Sequence, residues 1–302
     1  MEALTRYEPI VDDFDAFLDA CEHPLPTVVR VNTIKASTGR TVRALESEGI
    51  GVTGRDWNDS ALELDVEKPG NTWASFHGWI HGQEEISQLP ATVLDPLPGE
   101  RVWDACAAPG GKATQIAALS NEDGFVVATD ANLGRLSALR FNAERLGATS
   151  LAVTHGDARH FSFAPFGFDA FDRALVDAPC SCEGTVRKNP DAIEGWSLDH
   201  VTQIAGIQKG ILQRAIQATR PGGTVVYSTC TFAPEENEAV LDAVLEREDC
   251  TIVPFAVDLE GAPGVTEWEG ERYDGSVRHA KRFYPHQNDT GGFFCAKLEV
   301  AG

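Results

Sequence analysis

A strand, a glycine-rich turn and a helix together decide the fold of this chain. Residues 101–112 read RVWDACAAPGGK: an apolar run that predicts a strand over Arg101–Cys106, then small residues and a Gly-Gly pair. A helix over Ala113–Leu119 is predicted to follow. Small residues let the backbone approach a ligand closely, and a helix start offers free N–H groups. The spacing is neither that of a P-loop nor that of a dinucleotide-binding fingerprint. A Gly-Gly turn alone is more often a tight connection than a binding site. Whether this turn binds a ligand must therefore be judged from the residues after the neighbouring strands.

The alternation of strand and helix continues along the chain. Further strands are predicted over Phe125–Thr129, Leu151–Thr154, Phe171–Val176, Thr224–Ser228 and Gly292–Leu298, and helices over Leu133–Leu146, Val201–Thr219 and Glu235–Leu245. This alternation predicts an α/β fold with a mostly parallel sheet and helices on both faces.

The first 94 residues have a different character. A short strand over 28–33, a helix over Ser37–Glu48 and two extended pieces predict a small α+β module. The sequence DPLPG at 95–99 separates this module from the rest. We therefore expect two domains, 1–94 and 95–302.

An acid stands directly after three successive predicted strands. These acids are Asp130, Asp157 and Asp177. Ligands of open α/β sheets bind at the carboxyl ends of the strands, where a carboxylate after the second strand can accept hydrogen bonds from ribose hydroxyls. Any one of them would more often be a helix cap or a solvated loop residue. Their succession after the glycine turn predicts a site for an adenosine-type cofactor.

Two cysteines also follow predicted strands, Cys180 in DAPCS (177–181) and Cys230 in YSTCTF (227–232). A lone cysteine there is usually a small buried hydrophobe. Two on neighbouring strand ends predict a reacting pair, because a thiolate adds readily to an electron-poor double bond. The chain has seven cysteines, an odd and scattered set that does not predict a disulfide framework. Cys180 and Cys182 lack a second Cys or His pair at zinc-site spacing, so no metal site is predicted.

The motifs DACAAPGGK (104–112), DAPCS (177–181) and YSTCTFAPEENE (227–238), supported by RVNT (30–33), resemble the Sun/Nop family of RNA cytosine-5 methyltransferases. The resemblance implies a Rossmann-like class I methyltransferase domain preceded by a small N-terminal RNA-binding domain. It implies S-adenosylmethionine as cofactor and RNA as substrate, tRNA being favoured over rRNA.

The resemblance also assigns roles to matching positions. Cys230 attacks carbon 6 of cytosine, Cys180 helps to release the product, and Asp177 holds the base. The implied cofactor pocket consists of Cys106, Ala107, Ala108, Pro109, Gly110, Gly111, Lys112, Asp130, Arg135, Asp157 and Asp177. The chain departs from the family at Cys182, where the resemblance implies glycine, and this cysteine either loosens the loop or adds a third thiol near the site.

The charge balance runs against RNA binding. With 46 acidic and 25 basic residues, the formal net charge is -21, which should repel phosphate. Either the partners are not polyanions, or the surface is adapted to high internal salt, where the Debye length falls to ~3 Å at 1 M. Scarce lysine and evenly spread acids favour the second interpretation, that of an archaeal, halophilic member of the family. The acidic start has no signal-peptide pattern and no apolar run is long enough for a membrane span, so we expect a cytoplasmic monomer.

Two other functions compete with this interpretation. A DNA cytosine methyltransferase would use Cys180 as nucleophile, but it needs a target-recognition region for which the chain has little room, and it leaves Thr229-Cys230 unexplained. A non-catalytic RNA-binding assembly factor on the same fold is disfavoured, because both cysteines and all the cofactor acids are intact.

Overall fold

Segments distant in the sequence combine into two units of the computed structural model, which describes residues 2–302. The first, here the thiol unit, consists of the segments up to Leu25, Arg159–Ala170 and Val176–Gly302; the second, here the glycine-loop unit, consists of Pro26–Ala158 and Phe171–Leu175. The domain boundary expected between residues 94 and 95 stays a prediction, and Met1 lies outside the described residues.

The helices and strands of the described residues are numbered along the chain. The helices are α1 (Phe14–Glu22), α2 (Thr38–Ser47), α3 (Trp73–Phe76), α4 (Leu89–Leu94), α5 (Gly111–Leu119), α6 (Leu133–Leu146), α7 (Leu198–Ala218), α8 (Glu238–Leu245) and α9 (Pro285–Asn288). The strands are β1 (Val28–Val31), β2 (Val52–Arg55), β3 (Asn58–Leu64), β4 (Ile80–Gly82), β5 (Arg101–Asp104), β6 (Phe125–Asp130), β7 (Leu151–His155), β8 (Phe171–Asp177), β9 (Thr219–Thr229), β10 (Cys250–Val253), β11 (Ala262–Pro263), β12 (Glu267–Trp268), β13 (Glu271–Arg272), β14 (Lys281–Phe283) and β15 (Phe293–Val300).

The glycine-loop unit carries a parallel sheet in the order β8-β5-β6-β7. Its strands are short and apolar, as expected for strands covered on both faces. Helix α6 has the predicted bounds because local signals fix both ends. The Asn132 side chain accepts hydrogen bonds from two backbone N–H groups of the first turn, and Gly147, at φ +73°, ends the helix.

The same unit contains a four-stranded antiparallel sheet in the order β2-β3-β1-β4, of which β1, β2 and β3 correspond to predicted segments and β4 does not. Apolar residues on one face, among them Val29, Leu62 and Ile80, pack with Leu45 of α2 into a small core. The predicted α+β character of residues 28–66 is therefore present in the structure.

The thiol unit adds antiparallel strands to the α/β fold. The last two residues of β8 belong to it and adjoin β9, with the amide of Ala178 donating to the carbonyl of Ser228 at 2.9 Å. Strand β15 pairs antiparallel with β9, β14 and β10, and β14 pairs with β11. An aromatic cluster of Tyr7, Phe17, Phe232 and Tyr284 forms part of the core of this unit. Within residues 2–302, no helix has both the length and the apolar character needed to cross a membrane.

Candidate active site

The glycine-rich turn between β5 and α5 is held mainly by its own backbone and by the next strand. The amide of Ala107 donates to the carbonyl of Thr129 at 2.8 Å, and the amide of Gly110 donates back to Ala107 at 2.7 Å. Gly110 has φ +105°, and a Cβ there would lie 2.7 Å from Cδ1 of Leu139. Only glycine fits both the conformation and the space, so the turn brings a bare backbone to the start of α5.

Asp130 ends β6 and organises this turn. Its carboxylate is 4% exposed and accepts hydrogen bonds from the amides of Ala108 (3.1 Å) and Asn132 (2.8 Å). The guanidinium of Arg135 lies 3.7 Å from the same carboxylate and also donates to the carbonyl of Ala108. Each carboxylate oxygen has a second lone pair, so Asp130 can still accept hydrogen bonds from the two hydroxyls of a ribose. The residues present therefore fit the predicted adenosine group.

The remaining predicted cofactor residues of this unit border the same turn or the next strand end. Cys106, Gly111 and Lys112 are partly exposed, and Asp157 follows β7. The amide of Gly156 donates to the carbonyl of Asp130 at 3.2 Å, which brings the Asp157 loop to the end of β6. The unit thus groups Asp157 with Asp130 at the carboxyl edge of the parallel strands.

In the thiol unit, the cysteines predicted from two separate motifs, Cys180 and Cys230, come together with Cys182. The sulfur of Cys180 lies 3.2 Å from that of Cys230 and 3.7 Å from that of Cys182, and all three sulfurs lie within 4.8 Å of one another. These three residues are called the thiol cluster below. Among the residues that the structure describes, no other group of Cys, His, Asp or Glu side chains gathers closely enough to be a candidate for a metal.

The three thiols do not ionise independently, because closely spaced thiolates repel one another. Hydrogen bonds with Cys180 and Cys230 lower the pKa of Cys182, whereas the bonds that Cys180 makes with Cys182 and Cys230, together with burial, raise the pKa of Cys180. For Cys230, the bond with Cys180 acts to lower the pKa, but the bond with Cys182 and burial outweigh it and the net direction is upward. The cluster therefore favours one shared negative charge, stabilised by the remaining S–H groups.

Backbone contacts fix the two cysteine loops against each other. The amide of Gly184 donates to the carbonyl of Cys230 at 3.0 Å, and a Cβ on Gly184 would lie only 2.7 Å from that oxygen. Asp177 lies at the end of β8, where its carboxylate accepts a hydrogen bond from the hydroxyl of Ser228 at 2.9 Å. Asp177 and the cysteines are thus positioned by neighbouring strand ends, as the sequence predicted.

A buried carboxylate that sequence reasoning missed ties the loops together. Glu183 is fully buried and accepts hydrogen bonds from the hydroxyls of Tyr7 (2.8 Å), Ser181 (2.6 Å) and Thr231 (2.5 Å) and from the amide of Phe232 (3.0 Å). Burial, followed by the neighbouring charge of Glu183, raises the pKa of Tyr7, so its hydroxyl stays a donor. The only feature of the sequence that could have indicated this role of Glu183 is its position immediately after the Cys-x-Cys segment.

A second buried acid, Glu236, supports the same loop. Its carboxyl contacts the amide of Ser181 at 3.1 Å and that residue's hydroxyl, and accepts a hydrogen bond from Gln208 at 2.7 Å. Burial raises the pKa of Glu236 to about 7, the charge of Glu183 acts in the same direction, and the hydrogen bonds oppose it. Glu236 lies within the sequence motif 227–238, but no periodic pattern revealed that it would be buried.

The fold is that of the class I methyltransferases. A crystal structure described as a methyltransferase homolog protein from Pyrococcus horikoshii superposes with a TM-score of 0.83 at 34% identity, covering 94% of this chain and 90% of that one. Residues 91–299 match the family model described as "16S rRNA methyltransferase RsmB/F", and the chain belongs to this family.

Curated relatives differ in length and in the RNA that they are named for. The chain is 35% identical over 297 residues to the tRNA (cytosine(49)-C(5))-methyltransferase of Pyrococcus abyssi, covering 97% of this chain and 94% of the relative. It is 38% identical over 295 residues to the ribosomal RNA small subunit methyltransferase F of Aeromonas salmonicida. That match covers 94% of this chain but only 60% of the longer relative.

Proposed function

We propose that this chain methylates carbon 5 of cytosine in RNA, with S-adenosylmethionine as methyl donor and Cys230 as nucleophile. The observation that carries the proposal is the thiol pair, in which the sulfurs of Cys230 and Cys180 lie 3.2 Å apart after two strand ends. Membership of the RsmB/F family and the name of the Pyrococcus abyssi relative support the same chemistry.

The proposed reaction begins at Cys230. Its thiolate adds to carbon 6 of cytosine, which makes carbon 5 electron-rich while Asp177 holds the base at ring nitrogen 3. When bound, S-adenosylmethionine supplies an electrophilic methyl group to carbon 5. A base then takes the proton from carbon 5, the ring double bond forms again, and the bond from carbon 6 to sulfur breaks so that Cys230 leaves as a thiolate. Cys180 assists this release.

The residues proposed to hold the cofactor are those of the glycine-rich turn, Cys106–Lys112, with Asp130, Arg135, Asp157 and Asp177. Asp130 would accept hydrogen bonds from the ribose hydroxyls, a role supported by its position at the end of β6 and by the second lone pair on each of its oxygens. Arg135 would stabilise the turn through the carbonyl of Ala108.

The substrate that we favour is tRNA. The relative named for tRNA is matched over 94% of its length, whereas the small-subunit rRNA relative is matched over 60%. The family description names 16S rRNA and keeps an rRNA substrate as the second candidate. The monomeric state, the cytoplasmic location and the salt-adapted archaeal origin stay predictions.

The two cysteines provide the test. Cys230→Ala should abolish methylation of transcribed tRNA by the full chain while cofactor affinity, measured by calorimetry, stays unchanged. Cys180→Ala should still attack and methylate the base but fail to release it, giving an enzyme–RNA adduct that survives denaturing electrophoresis.

The matched control is Cys250→Ala, which removes a buried thiol outside the thiol cluster and should behave as wild type. An adduct that depends on Cys180 and accumulates in Cys230→Ala would show the arrangement of the DNA enzymes. Full cofactor binding with no methyl transfer to any RNA by the wild-type chain would favour the non-catalytic assembly factor.

A further inference from the structure

The thiol cluster contains one sulfur more than the proposed reaction uses. Cys230 attacks and Cys180 assists release, but Cys182 has no step. Its sulfur lies 3.7 Å from the sulfur of Cys180 and 3.0 Å from the carbonyl oxygen of Cys180, so it turns towards the pair and not away from it. The position of Cys182 in the thiol cluster is therefore not explained by the proposed reaction.

The spacing of the three sulfurs fits a metal ion. Zinc binds thiolate sulfur at about 2.3 Å, so two sulfurs of a tetrahedral zinc site lie about 3.8 Å apart. The sulfurs here are separated by 3.2 Å and 3.7 Å, with all three inside 4.8 Å. We propose that Cys180, Cys182 and Cys230 form a binding site for a thiophilic d¹⁰ cation such as Zn²⁺, and that the bound ion reversibly blocks the nucleophile.

Cys182 is the residue that converts a thiol pair into such a site. It adopts φ +67°, a left-handed conformation that favours glycine, so a glycine would take this position without strain. With glycine at this position, two sulfurs remain, one from each strand end. A cysteine supplies the third ligand from a loop whose backbone is already fixed by Gly184.

The donor set selects the chemical class of the ion. Three sulfur ligands favour zinc, cadmium or monovalent copper, whereas magnesium and calcium prefer oxygen. The thiols bind as thiolates, so each one that ligates must give up its proton to solvent. Three protein ligands leave one coordination position for water.

Sequence spacing could not reveal this site. Cys180 and Cys182 lack a nearby Cys or His pair, which predicted that no metal binds, because the third ligand comes from a strand end about 50 residues later. The blocking effect rests on the proposed function: when the sulfur of Cys230 is bound to a metal, its electron pair is engaged and it cannot attack carbon 6. Binding itself does not depend on that function.

The binding test uses the full chain, reduced and freed of metal, titrated with Cd²⁺ and with Zn²⁺. We expect one ion per chain, a thiolate-to-cadmium absorption band and proton release detected by calorimetry in buffers of different ionisation enthalpy. Cys182→Gly should weaken binding at least a hundredfold and lose the band, while Cys250→Ala should bind as wild type. Far-ultraviolet circular dichroism of each variant checks that it is folded.

The activity test adds Zn²⁺ to the RNA methylation assay. Stoichiometric zinc should stop the wild-type chain and EDTA should restore it, whereas Cys182→Gly should methylate RNA in the presence of the same zinc. Equal zinc affinity in wild type and Cys182→Gly would overturn the site. The blocking role of the metal would also be overturned if the chain lost activity without added metal and regained it with dithiothreitol but not with EDTA. That result would show that a disulfide blocks the nucleophile.

The two proposals fail separately. Suppose that the cadmium band appears and depends on Cys182, but the metal-free chain methylates no RNA. The metal site is then supported and the proposed function is overturned. If the chain methylates RNA but Cd²⁺ and Zn²⁺ do not bind, the metal site alone is overturned.

Discussion

The two cysteine loops of the thiol unit and the glycine-rich turn of the glycine-loop unit are held in place by different means. The turn is tied by backbone groups of its own residues and of the adjacent strand, with Asp130 as its buried side-chain anchor. The cysteine loops are tied by two buried acids, Glu183 and Glu236, which bind hydroxyls and amides from separate parts of the chain.

This difference follows from what each region has to do. A turn that binds a cofactor needs an exposed backbone, and glycine with small residues provides it at little energetic cost. The nucleophile proposed above would have to be held within a fraction of an ångström, which requires side chains whose own positions are fixed. Buried acids with several donors each provide that rigidity, but their removal leaves the donors unpaired.

The largest effect is expected at Glu183. Glu183→Ala leaves the hydroxyls of Tyr7 and Thr231 and the amide of Phe232 without their buried acceptor, which should lower the free energy of unfolding by roughly 3–5 kcal/mol. Urea denaturation measures this loss. The matched change in the other region is Asn142→Ala, which removes a solvent-accessible hydrogen bond to the carbonyl of Pro109 and should cost less than about 1 kcal/mol.

Equal losses of unfolding free energy in Glu183→Ala and Asn142→Ala would contradict the difference between the cysteine loops and the glycine-rich turn. A further contrast lies in the chemistry: Glu183→Ala should reduce methyl transfer even at temperatures where the variant is fully folded, because the two cysteine loops are no longer fixed. Cofactor affinity of that folded variant should stay near that of wild type.

Glu236 should make stability depend on pH. Its pKa is raised by burial from 4.5 to about 7, so folding favours the protonated form. The stabilisation is fully present below about pH 4.5 and is lost as the pH rises through 7, and it amounts to about 3 kcal/mol. Glu236→Gln cannot titrate. Wild type should therefore lose stability relative to this variant between these two pH values, as measured by urea unfolding, and a parallel pH dependence of the two proteins would remove Glu236 as the cause.

The regions also differ in how far the sequence predicts them. Helix α6 and the glycine-rich turn are determined by local signals, namely Asn132, Gly110 and Gly147, and the sequence predicts them well. Strands β11 to β13 have two residues each, too few to show a periodicity; β11 forms by pairing with the distant β14, and β12 pairs with the adjacent β13.

In the candidate site, the cysteines and acids at strand ends follow from motif and strand order. The role of Glu183 depends on Tyr7, which lies 176 positions away in the sequence. Likewise, the approach of Cys182 to Cys230 is set by tertiary packing. Patterns that repeat along a chain report its local structure, whereas the contacts that hold the cysteine loops come from distant segments.

The smallest effect is expected at Asp130, where Asp130→Asn separates cofactor binding from the support of the turn. An amide oxygen can still accept a hydrogen bond from the amide of Ala108, but the side-chain NH2 group then faces the amide of Asn132, which loses its acceptor, so the unfolding free energy should fall by about 1 kcal/mol. The charged acceptor proposed for the ribose hydroxyls is lost, which corresponds to about 1.5 kcal/mol and a roughly tenfold weaker affinity for S-adenosylmethionine. Calorimetric titration measures the affinity, with Asn142→Ala as the variant that changes the turn without changing the acceptor. Unchanged affinity in Asp130→Asn would mean that this carboxylate serves the turn alone, and the ribose acceptor would then have to be sought elsewhere along the strand ends.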